Sequence, residues 1–266
     1  MKDLTDTAIL RGLATRHLGR SVEVHQSVSS TNDVALERLA GGSPHGTLVV
    51  AEAQTAGRGR RGNVWVTPPG LSLAASLVLR SERVTLQPTL LVAAVALGIA
   101  EGLERAAGAA VGIKWPNDLW IGGKKVAGIL VEARSSAGAA PALVAGFGIN
   151  VNASAAAFPP GLRATATSLA LATGRTYDRS EVLRLVLASL EPRLDEGMSG
   201  TPGRTLLEAY RDRSVLLGRT VELLDGDEPL RGFVADLSAT DGLLLRTSDG
   251  RARHVRAEHA RDVRAV

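Results

Sequence analysis

The chain has 266 residues, no cysteine and a formal net charge of +4 at pH 7. These features exclude disulfides and thiolate metal sites, and the modest positive charge suits anionic ligands without by itself indicating DNA binding. An apolar content of 45% is typical of a folded core. The sequence shows no secretory signal pattern and no apolar run of membrane-spanning length, so we expect a cytoplasmic protein that does not enter a membrane.

The first part of the chain predicts helices and strands in mixed order. In sequence, the expected elements are a helix over residues 4–19, strands over 21–25 and 48–51 with a helix between them that ends at residue 40, a strand over 71–79 and a buried helix over 88–107. Gly19 is expected to cap the first helix. The polar residues Ser30, Thr31 and Asn32 precede the second helix. They either cap that helix alone or also receive a polar ligand.

An Arg/Gly loop follows the strand over residues 48–51 and is the feature around which the chain is organised. After Gln54, glycines alternate with arginines, and Trp65 follows; the run comprises Gly57, Arg58, Gly59, Arg60, Arg61 and Gly62. Glycine lets the backbone approach a ligand closely, and guanidinium groups match phosphate or carboxylate. We expect a loop that closes over an anion and is disordered when empty. The alternatives are a solvated basic loop or a contact with a nucleic-acid backbone.

Residues 111–132 predict two strands joined by a turn at Gly122 and Gly123. The turn folds Asp118 and Lys125 toward each other, so the two side chains can converge on one site, while Lys124 points to the opposite face. Pro116 breaks the first strand within the run Lys114-Trp115-Pro116-Asn117-Asp118. An ordinary hairpin with two solvated lysines is the alternative. The run from Lys114 to Asp118 is nevertheless unfavourable in a plain strand, because it places an aromatic residue, a proline, an amide and a carboxylate in succession.

The rest of the chain predicts a change of architecture near Arg213. A strand over residues 142–152, with Gly146 and Gly148 leaving room on one face, is followed by helices over 180–196 and 206–213. Beyond residue 215, short alternating runs separated by Asp-Gly turns predict a small antiparallel barrel, with strands over 220–224, 230–237, 242–247 and 252–255. We therefore expect a short N-terminal helix in residues 1–20, a main domain over 21–213 and a barrel over 214–266.

Five motifs, taken together and in this order, resemble those of the biotin protein ligases, also called biotin-[acetyl-CoA-carboxylase] ligases. They are Ser30 to Asn32, Gln54 to Gly62 with Trp65, Lys114 to Asp118, Lys125 to Leu130 and Gly146 to Asn152. The resemblance spans about residues 21–155, and the barrel-like tail matches the small C-terminal domain of that family. It implies an α/β (α+β) catalytic domain of the class II aminoacyl-tRNA synthetase and biotin synthetase type, with a mostly antiparallel sheet, followed by an SH3-like barrel.

The resemblance also implies an activity in two steps. Biotin and MgATP give biotinyl-5'-AMP and pyrophosphate, and biotin then passes to one lysine of a biotin carboxyl carrier protein or domain of an acyl-CoA carboxylase. The chemistry of the residues fits independently, since joining a carboxylate to an α-phosphate is opposed by charge repulsion that fixed cations offset.

The resemblance assigns roles to the motif residues. It implies biotin contacts from Ser30, Thr31, Asn32, Gln54, Arg58, Gly59, Arg60, Lys125 and Gly128. It implies nucleotide contacts from Arg58, Arg60, Arg61, Trp65, Lys114, Asn117, Lys125 and Asn150. Catalysis is expected from Lys125, Arg58 and Asp118, with Asp118 either taking the proton of the acceptor lysine or positioning Lys125 or magnesium. The magnesium ligands are not assigned.

Three alternatives remain at the level of the sequence. A lipoate ligase shares the ancestral fold and the adenylation chemistry, although the Arg/Gly loop and the Lys-Trp-Pro-Asn-Asp run resemble the biotin branch more closely. A biotin-responsive repressor needs a DNA reader, and the residues before Ser21 are too few for a three-helix reader, so no operator binding is expected. A nucleic-acid-binding basic loop lacks the aromatic platform expected beside it.

Overall fold

The structure, a computed structural model, describes residues 3–80, 88–134, 142–198, 204–238 and 241–266. Its helices are α1 (Asp6–Leu10), α2 (Thr31–Ala40), α3 (Pro88–Ala107), α4 (Leu169–Thr173), α5 (Arg179–Met198) and α6 (Arg204–Asp212). Its strands are β1 (Val22–His25), β2 (Leu48–Ala51), β3 (Ser72–Leu79), β4 (Gly112–Lys114), β5 (Asp118–Ile121), β6 (Lys124–Arg134), β7 (Ala142–Asn150), β8 (Thr220–Asp225), β9 (Glu228–Ser238), β10 (Gly242–Arg246), β11 (Ala252–Val255) and β12 (Ala260–Ala265).

The larger sheet has the strand order β1-β2-β3-β7-β6-β5-β4. β1 and β2 run parallel, and the other neighbours run antiparallel, as the resemblance implies. Helix α2 packs on β3 and β7, whereas α5 contacts β3 and α3 contacts β6. Because the sheet is covered on both faces, β3 is buried along its whole length, which explains its continuous apolar sequence. The polar cleft described below opens where loops and the hairpin leave this sheet.

The N-terminal helix is shorter than the sequence predicts. Instead of spanning residues 4–19, α1 ends at Leu10, and Gly12 and Gly19 adopt positive φ values of 78° and 66°. The carboxylate of Glu191 on α5 accepts the backbone N–H groups of residues 16–18. These donors are therefore bound to a distant helix rather than to the next helical turn. Gly19 forms a turn and caps no helix.

The second sheet contains five antiparallel strands in the order β11-β10-β9-β8-β12. Four of them were expected from the Asp-Gly turns, but β12 was not, because its charged residues and a register shift between Arg261 and Arg264 obscure the alternation. The connection after α6 joins the two sheets, since Ile113 on β4 donates to the carbonyl of Arg213 and Val215 donates to that of Ile113. The domain boundary near residue 213 stays a prediction. Within the described ranges, no helix is both long and apolar enough to span a membrane.

Candidate functional site

One cleft of about 1270 Å³ lies between the larger sheet, the Arg/Gly loop and β12. Every site residue expected from the sequence lines it, namely Ser30, Thr31, Asn32, Gln54, Arg58, Gly59, Arg60, Arg61, Trp65, Lys114, Asn117, Asp118, Lys125, Gly128 and Asn150. The sequence did not indicate that β12 of the second sheet, residues 260–265, and Arg219, which directly precedes β8, also line the cleft. The motifs are far apart in sequence, and folding brings them to a single cavity.

A network of buried polar groups forms one end of the cleft. The Gln54 side-chain oxygen accepts from the backbone nitrogen of Thr31 at 2.8 Å and lies 3.2 Å from its hydroxyl. Ser76 on β3 lies 2.8 Å from the Thr31 hydroxyl and donates to the Asn32 side-chain oxygen at 2.6 Å. Polar networks of this kind hold donors and acceptors in fixed directions. Ser76 was missed by the sequence analysis, although a serine inside an otherwise apolar central strand was the available signal.

Two glycines leave the sheet surface open to other side chains. A Cβ atom on Gly146 would lie 2.0 Å from the Asn32 side-chain oxygen, and one on Gly148 would lie 2.2 Å from the Trp65 ring. The indole therefore lies directly on the sheet, with its Nε1 buried and without an acceptor in the described part of the chain. The room that Gly146 and Gly148 were expected to leave on one face of the strand is confirmed, since each accommodates one cleft-lining side chain.

The guanidinium of Arg58 is held by carboxylates from two elements. It donates to both oxygens of Asp33 on α2, at 2.8 and 2.7 Å, and lies 3.4 Å from Glu132 on β6. The bonds to Asp33 and the charge of Glu132 raise the pKa of Arg58 above its ordinary value. Neither acidic residue was a sequence-level candidate. Together they draw the Arg/Gly loop over the start of α2.

Arg60 and Arg61 reach the second sheet. Arg60 donates to the backbone carbonyl of Ala257 at 2.6 Å, and Arg61 donates to that of Glu258. Burial lowers the pKa of the Arg60 guanidinium. The turn between β11 and β12 thus supports the loop in addition to Asp33. The structure describes the whole loop, and its expected disorder in the absence of a ligand stays a prediction.

The hairpin predicted around Gly122 and Gly123 is confirmed, and it joins Lys125 to Asp118. The Lys125 ammonium lies 2.7 Å from an Asp118 carboxylate oxygen and 5.5 Å from the centroid of a Trp65 ring. The strand is anchored from its other side, because the backbone of Lys125 exchanges hydrogen bonds of 2.8 Å with Thr165 and Thr167. Lys124 is exposed and does not line the cleft, as the alternation of strand side chains predicts.

The expected break at Pro116 is also confirmed. β4 ends at Lys114, a turn with a cis peptide between Trp115 and Pro116 follows, and β5 begins at Asp118. The Asn117 side chain donates to the carbonyl of Ile129 at 2.8 Å and so ties the turn to β6.

Lys114 and Asn150 occupy different environments in the cleft. Burial lowers the pKa of Lys114, whose ammonium lies 4.6 Å from the centroid of a Trp120 ring. The Asn150 amide nitrogen donates to the carbonyl of Thr167 at 3.0 Å. Asn150 therefore fixes the wall beside Lys125 through its nitrogen, and its contact with a nucleotide stays a prediction.

The carboxylates that line the cleft are Asp118 and Asp262. Across the described ranges, no group of three or more His, Cys, Asp or Glu side chains could hold a metal ion. Magnesium commonly binds through one or two carboxylates together with substrate phosphates. The donor set therefore fits a magnesium ion that arrives with a nucleotide rather than one held in a protein cage.

Taken together, the cleft offers a polar pocket on a surface of small residues, beside several cations. Arg58, Arg60, Lys114 and Lys125 contribute these cations from three different parts of the chain. Such an arrangement suits a ligand with a compact polar head and a carboxylate, next to a polyphosphate. Oriented cations around two anionic groups reduce their repulsion, which favours joining the two.

Comparison with known proteins agrees with this geometry. Residues 24–150 match the model of the biotin/lipoate A/B protein ligase family. The chain is 37% identical over 252 residues to the bifunctional ligase/repressor BirA of Bacillus subtilis, covering 93% of this chain and 76% of the relative. It is 36% identical to the biotin-[acetyl-CoA-carboxylase] ligase of Paracoccus denitrificans, covering 84% of this chain and 92% of the relative.

The fold is similar as well. The biotin protein ligase from Aquifex aeolicus, solved in complex with biotin and ATP, superimposes with a TM-score of 0.80 and 28% identity, covering 93% of this chain and all of that one. Sequence identity over most of both chains and the shared fold lead to one assignment: the chain belongs to the biotin protein ligases of the biotin/lipoate A/B protein ligase family.

Proposed function

We propose that this protein activates biotin with MgATP to form biotinyl-5'-AMP and pyrophosphate, and then transfers biotin to a lysine of a biotin carboxyl carrier protein or domain. The observation that carries the proposal is the convergence of Lys125, Arg58 and Arg60 beside the Thr31–Gln54 network in one cleft. Family membership supports the same reaction, since the relative from Paracoccus denitrificans, 36% identical to this chain, is a biotin-[acetyl-CoA-carboxylase] ligase.

In the first step, a biotin carboxylate oxygen attacks the α-phosphorus of ATP, and the bond to the pyrophosphate leaving group breaks. The Lys125 ammonium is proposed to lie between the carboxylate and the α-phosphate, where a fixed cation stabilises the transition state most. Arg58 and Arg60 are proposed to hold the carboxylate and phosphates, with Arg61 as a further contact and Gly59 allowing a close backbone approach. The distances within the protein support this, because Lys125 is already held at the cleft by Asp118 at 2.7 Å.

The head of biotin is proposed to bind the polar network. A ureido ring needs an acceptor for its N–H groups and donors for its carbonyl, and Ser30, Thr31, Asn32 and Gln54 offer both kinds. Gly128 leaves space beside Lys125, because a Cβ atom there would lie 3.2 Å from both Lys125 and Trp65. These contacts are proposals supported by the position of the residues in the cleft.

The nucleotide is proposed to contact Lys114, Asn117, Asn150 and Trp65, on the side of the cleft that faces the hairpin. Magnesium supplies charge neutralisation of the phosphates when it is bound, and Asp118 or Asp262 would be the carboxylates available to it.

In the second step, the acceptor amine attacks the acyl carbon of the adenylate, and AMP leaves. The amine must first lose a proton, since a lysine is protonated near neutral pH. We propose that Asp118 accepts this proton; the alternative is that it only positions Lys125 or magnesium.

The broader assignments are proposals of the same kind. We propose a catalytic domain over residues 21–213, a barrel domain over 214–266 and a cytoplasmic location. The expectation that this chain does not read DNA stays a prediction, which a biotin-dependent and sequence-specific gel shift would contradict.

The proposal is tested by pyrophosphate release from ATP in the presence of biotin, lipoate or neither acid. Biotin-dependent release that is lost in both Lys125→Ala and Arg58→Ala is the expected result, with losses of about 100-fold or more. Lys124→Ala is the matched control, because it removes a neighbouring lysine that is exposed and does not line the cleft. Release with lipoate alone would keep the adenylation chemistry and change the substrate. If pyrophosphate is released with neither biotin nor lipoate, the proposed ligase activity is refuted.

A further inference from the structure

A buried arginine that does not line the cleft contacts the segment that carries the Arg/Gly loop. Arg179, the first residue of α5, is 2% exposed. Its two terminal nitrogens donate to the two carboxylate oxygens of Glu52 at 2.9 and 2.8 Å. One of them also donates to the backbone carbonyl of Ser72 at 3.2 Å. This fork-shaped pairing is geometrically demanding, and a lysine cannot reproduce it.

Two partners of Arg179 lie at the two ends of a single loop. Glu52 directly follows β2, and Ser72 is the first residue of β3. Glu52 also accepts the backbone N–H of Gly70 at 3.1 Å. The segment between them, residues 53–71, carries Gln54, the Arg/Gly run and Trp65. One guanidinium therefore fixes the spacing and direction with which this segment leaves and re-enters the sheet.

The two carboxylates that contact Arg179 favour an ion pair that stays charged at neutral pH. Asp3 supplies a second carboxylate to Arg179, with one oxygen 3.0 Å from its Nε. The pKa of Glu52 is lowered by its hydrogen bond to Arg179, so the pair is ionised across the neutral range. Removing one member of a buried ion pair leaves an uncompensated charge, which is far more costly than losing an exposed pair.

We infer that Arg179 is a positioning residue for ligand binding, acting through Glu52 to hold the loop of residues 53–71 in its binding-competent conformation. It touches neither the cleft nor any proposed ligand, because it does not line the cavity. The identity of the ligands rests on the function proposed above, whereas the order of the loop does not.

A loop that is held correctly in only some molecules changes the kinetics in a way that loss of stability alone does not. If only a fraction of molecules holds the loop correctly, the apparent dissociation constant rises by the inverse of that fraction. Saturating ligand restores the ordered loop, so kcat changes little while KM rises. Partial unfolding of the whole protein would instead lower kcat by reducing the amount of active enzyme.

The loop itself provides a test that needs no ligand. Its arginines at positions 58 and 61 are exposed, so trypsin can report its local opening under native conditions. We would compare Arg179→Met, Arg179→Lys and Glu52→Gln with the control Arg184→Met. Arg184 lies on the same helix and donates to the carbonyl of Ala8 at 2.5 Å, without contact to the loop. All rates would be measured well below each melting temperature.

The expected result is cleavage within residues 58–61 about tenfold faster in Arg179→Met than in the control, with smaller increases in Arg179→Lys and Glu52→Gln. The KM for biotin should rise by a similar factor, with kcat within about twofold. If Arg179→Met does not fold, the two milder variants carry the same test. Cleavage at the rate of Arg184→Met in the folded variants would overturn the inference. A protein that forms no adenylate would refute the proposed function while leaving the proteolysis result to decide the role of Arg179.

Discussion

The side-chain amide of Asn32 occupies the space that a methyl group on Gly146 would need. A Cβ atom at position 146 would lie 2.0 Å from the Asn32 oxygen, and Asn32 cannot retreat freely, because Ser76 donates to that oxygen at 2.6 Å and Glu132 accepts from its nitrogen at 2.6 Å. The pairing of a helix N-terminus with a strand glycine thus determines where one end of the cleft lies.

Gly146→Ala should therefore displace Asn32 and damage both stability and biotin binding. We expect a loss of about 1–3 kcal/mol in the free energy of unfolding, typical of an overpacked core, and weaker biotin binding by calorimetry. Gly41→Ala is the control, because its nearest neighbouring atom would be at an ordinary 3.4 Å. Equal behaviour of the two variants would contradict the role of Gly146.

Asp118→Asn should separate the two steps of the reaction. We expect adenylate formation to be retained within a few-fold, whereas transfer from preformed adenylate to a carrier domain should fall by about 100-fold or more, as for the loss of a general base. Asp249→Asn changes an exposed carboxylate that does not line the cleft and serves as the control. Transfer at the normal rate would exclude Asp118 as the general base. Parallel losses in both steps would instead show that Asp118 positions Lys125.

Arg60 should contribute far more than Arg61 to adenylation, although the two are adjacent. Arg60 is half-buried and its pKa is lowered by burial, so its charge acts on an anion with little screening by water. Arg61 is exposed and its charge is screened. Arg60→Ala is expected to reduce pyrophosphate release by about 100-fold, and Arg61→Ala by only a few-fold. Similar losses in the two variants would show that exposure does not distinguish them.

Glu191 should make the stability of the fold dependent on pH below neutrality. Burial opposes its ionisation, but bonds from the backbone N–H groups of Leu18, Arg16 and His17 outweigh this and lower its pKa. A lowered folded-state pKa adds stability that is present above the unfolded value of about 4.3 and is lost as the pH falls through the folded value.

Unfolding in urea between neutral pH and about pH 3 would measure this effect. Glu191→Gln should be less stable than the parent at neutral pH by about 1–3 kcal/mol, and the difference should shrink as the pH falls. Glu181→Gln changes an exposed carboxylate on the same helix and should show neither effect. A difference that stays constant down to about pH 3 would contradict the assignment of the lowered pKa to Glu191.

Local sequence patterns were sufficient for much of the fold, and the five ordered motifs were sufficient to indicate many of the residues that line the cleft. α3 begins and ends at the predicted residues 88 and 107, and the Gly122–Gly123 turn folds β5 onto β6, which brings Asp118 near Lys125. The composition of the Arg/Gly run indicates that it binds an anion. Such features depend on neighbours in the chain, so the sequence alone determines them.

The tertiary structure decided everything that depends on distant partners. The segment before β1 was predicted to be helical, but its backbone donors bind Glu191, which lies 173 positions beyond Leu18. Arg179 meets Glu52 across 127 positions, and Arg58 meets Glu132 across 74. No local pattern indicates such pairs, because a buried charge is tolerated only where the folded chain supplies its counter-charge. The sequence indicated the motif residues that line the cleft, whereas long-range packing brought residues 260–265 to it and determined which groups hold the motif residues in place.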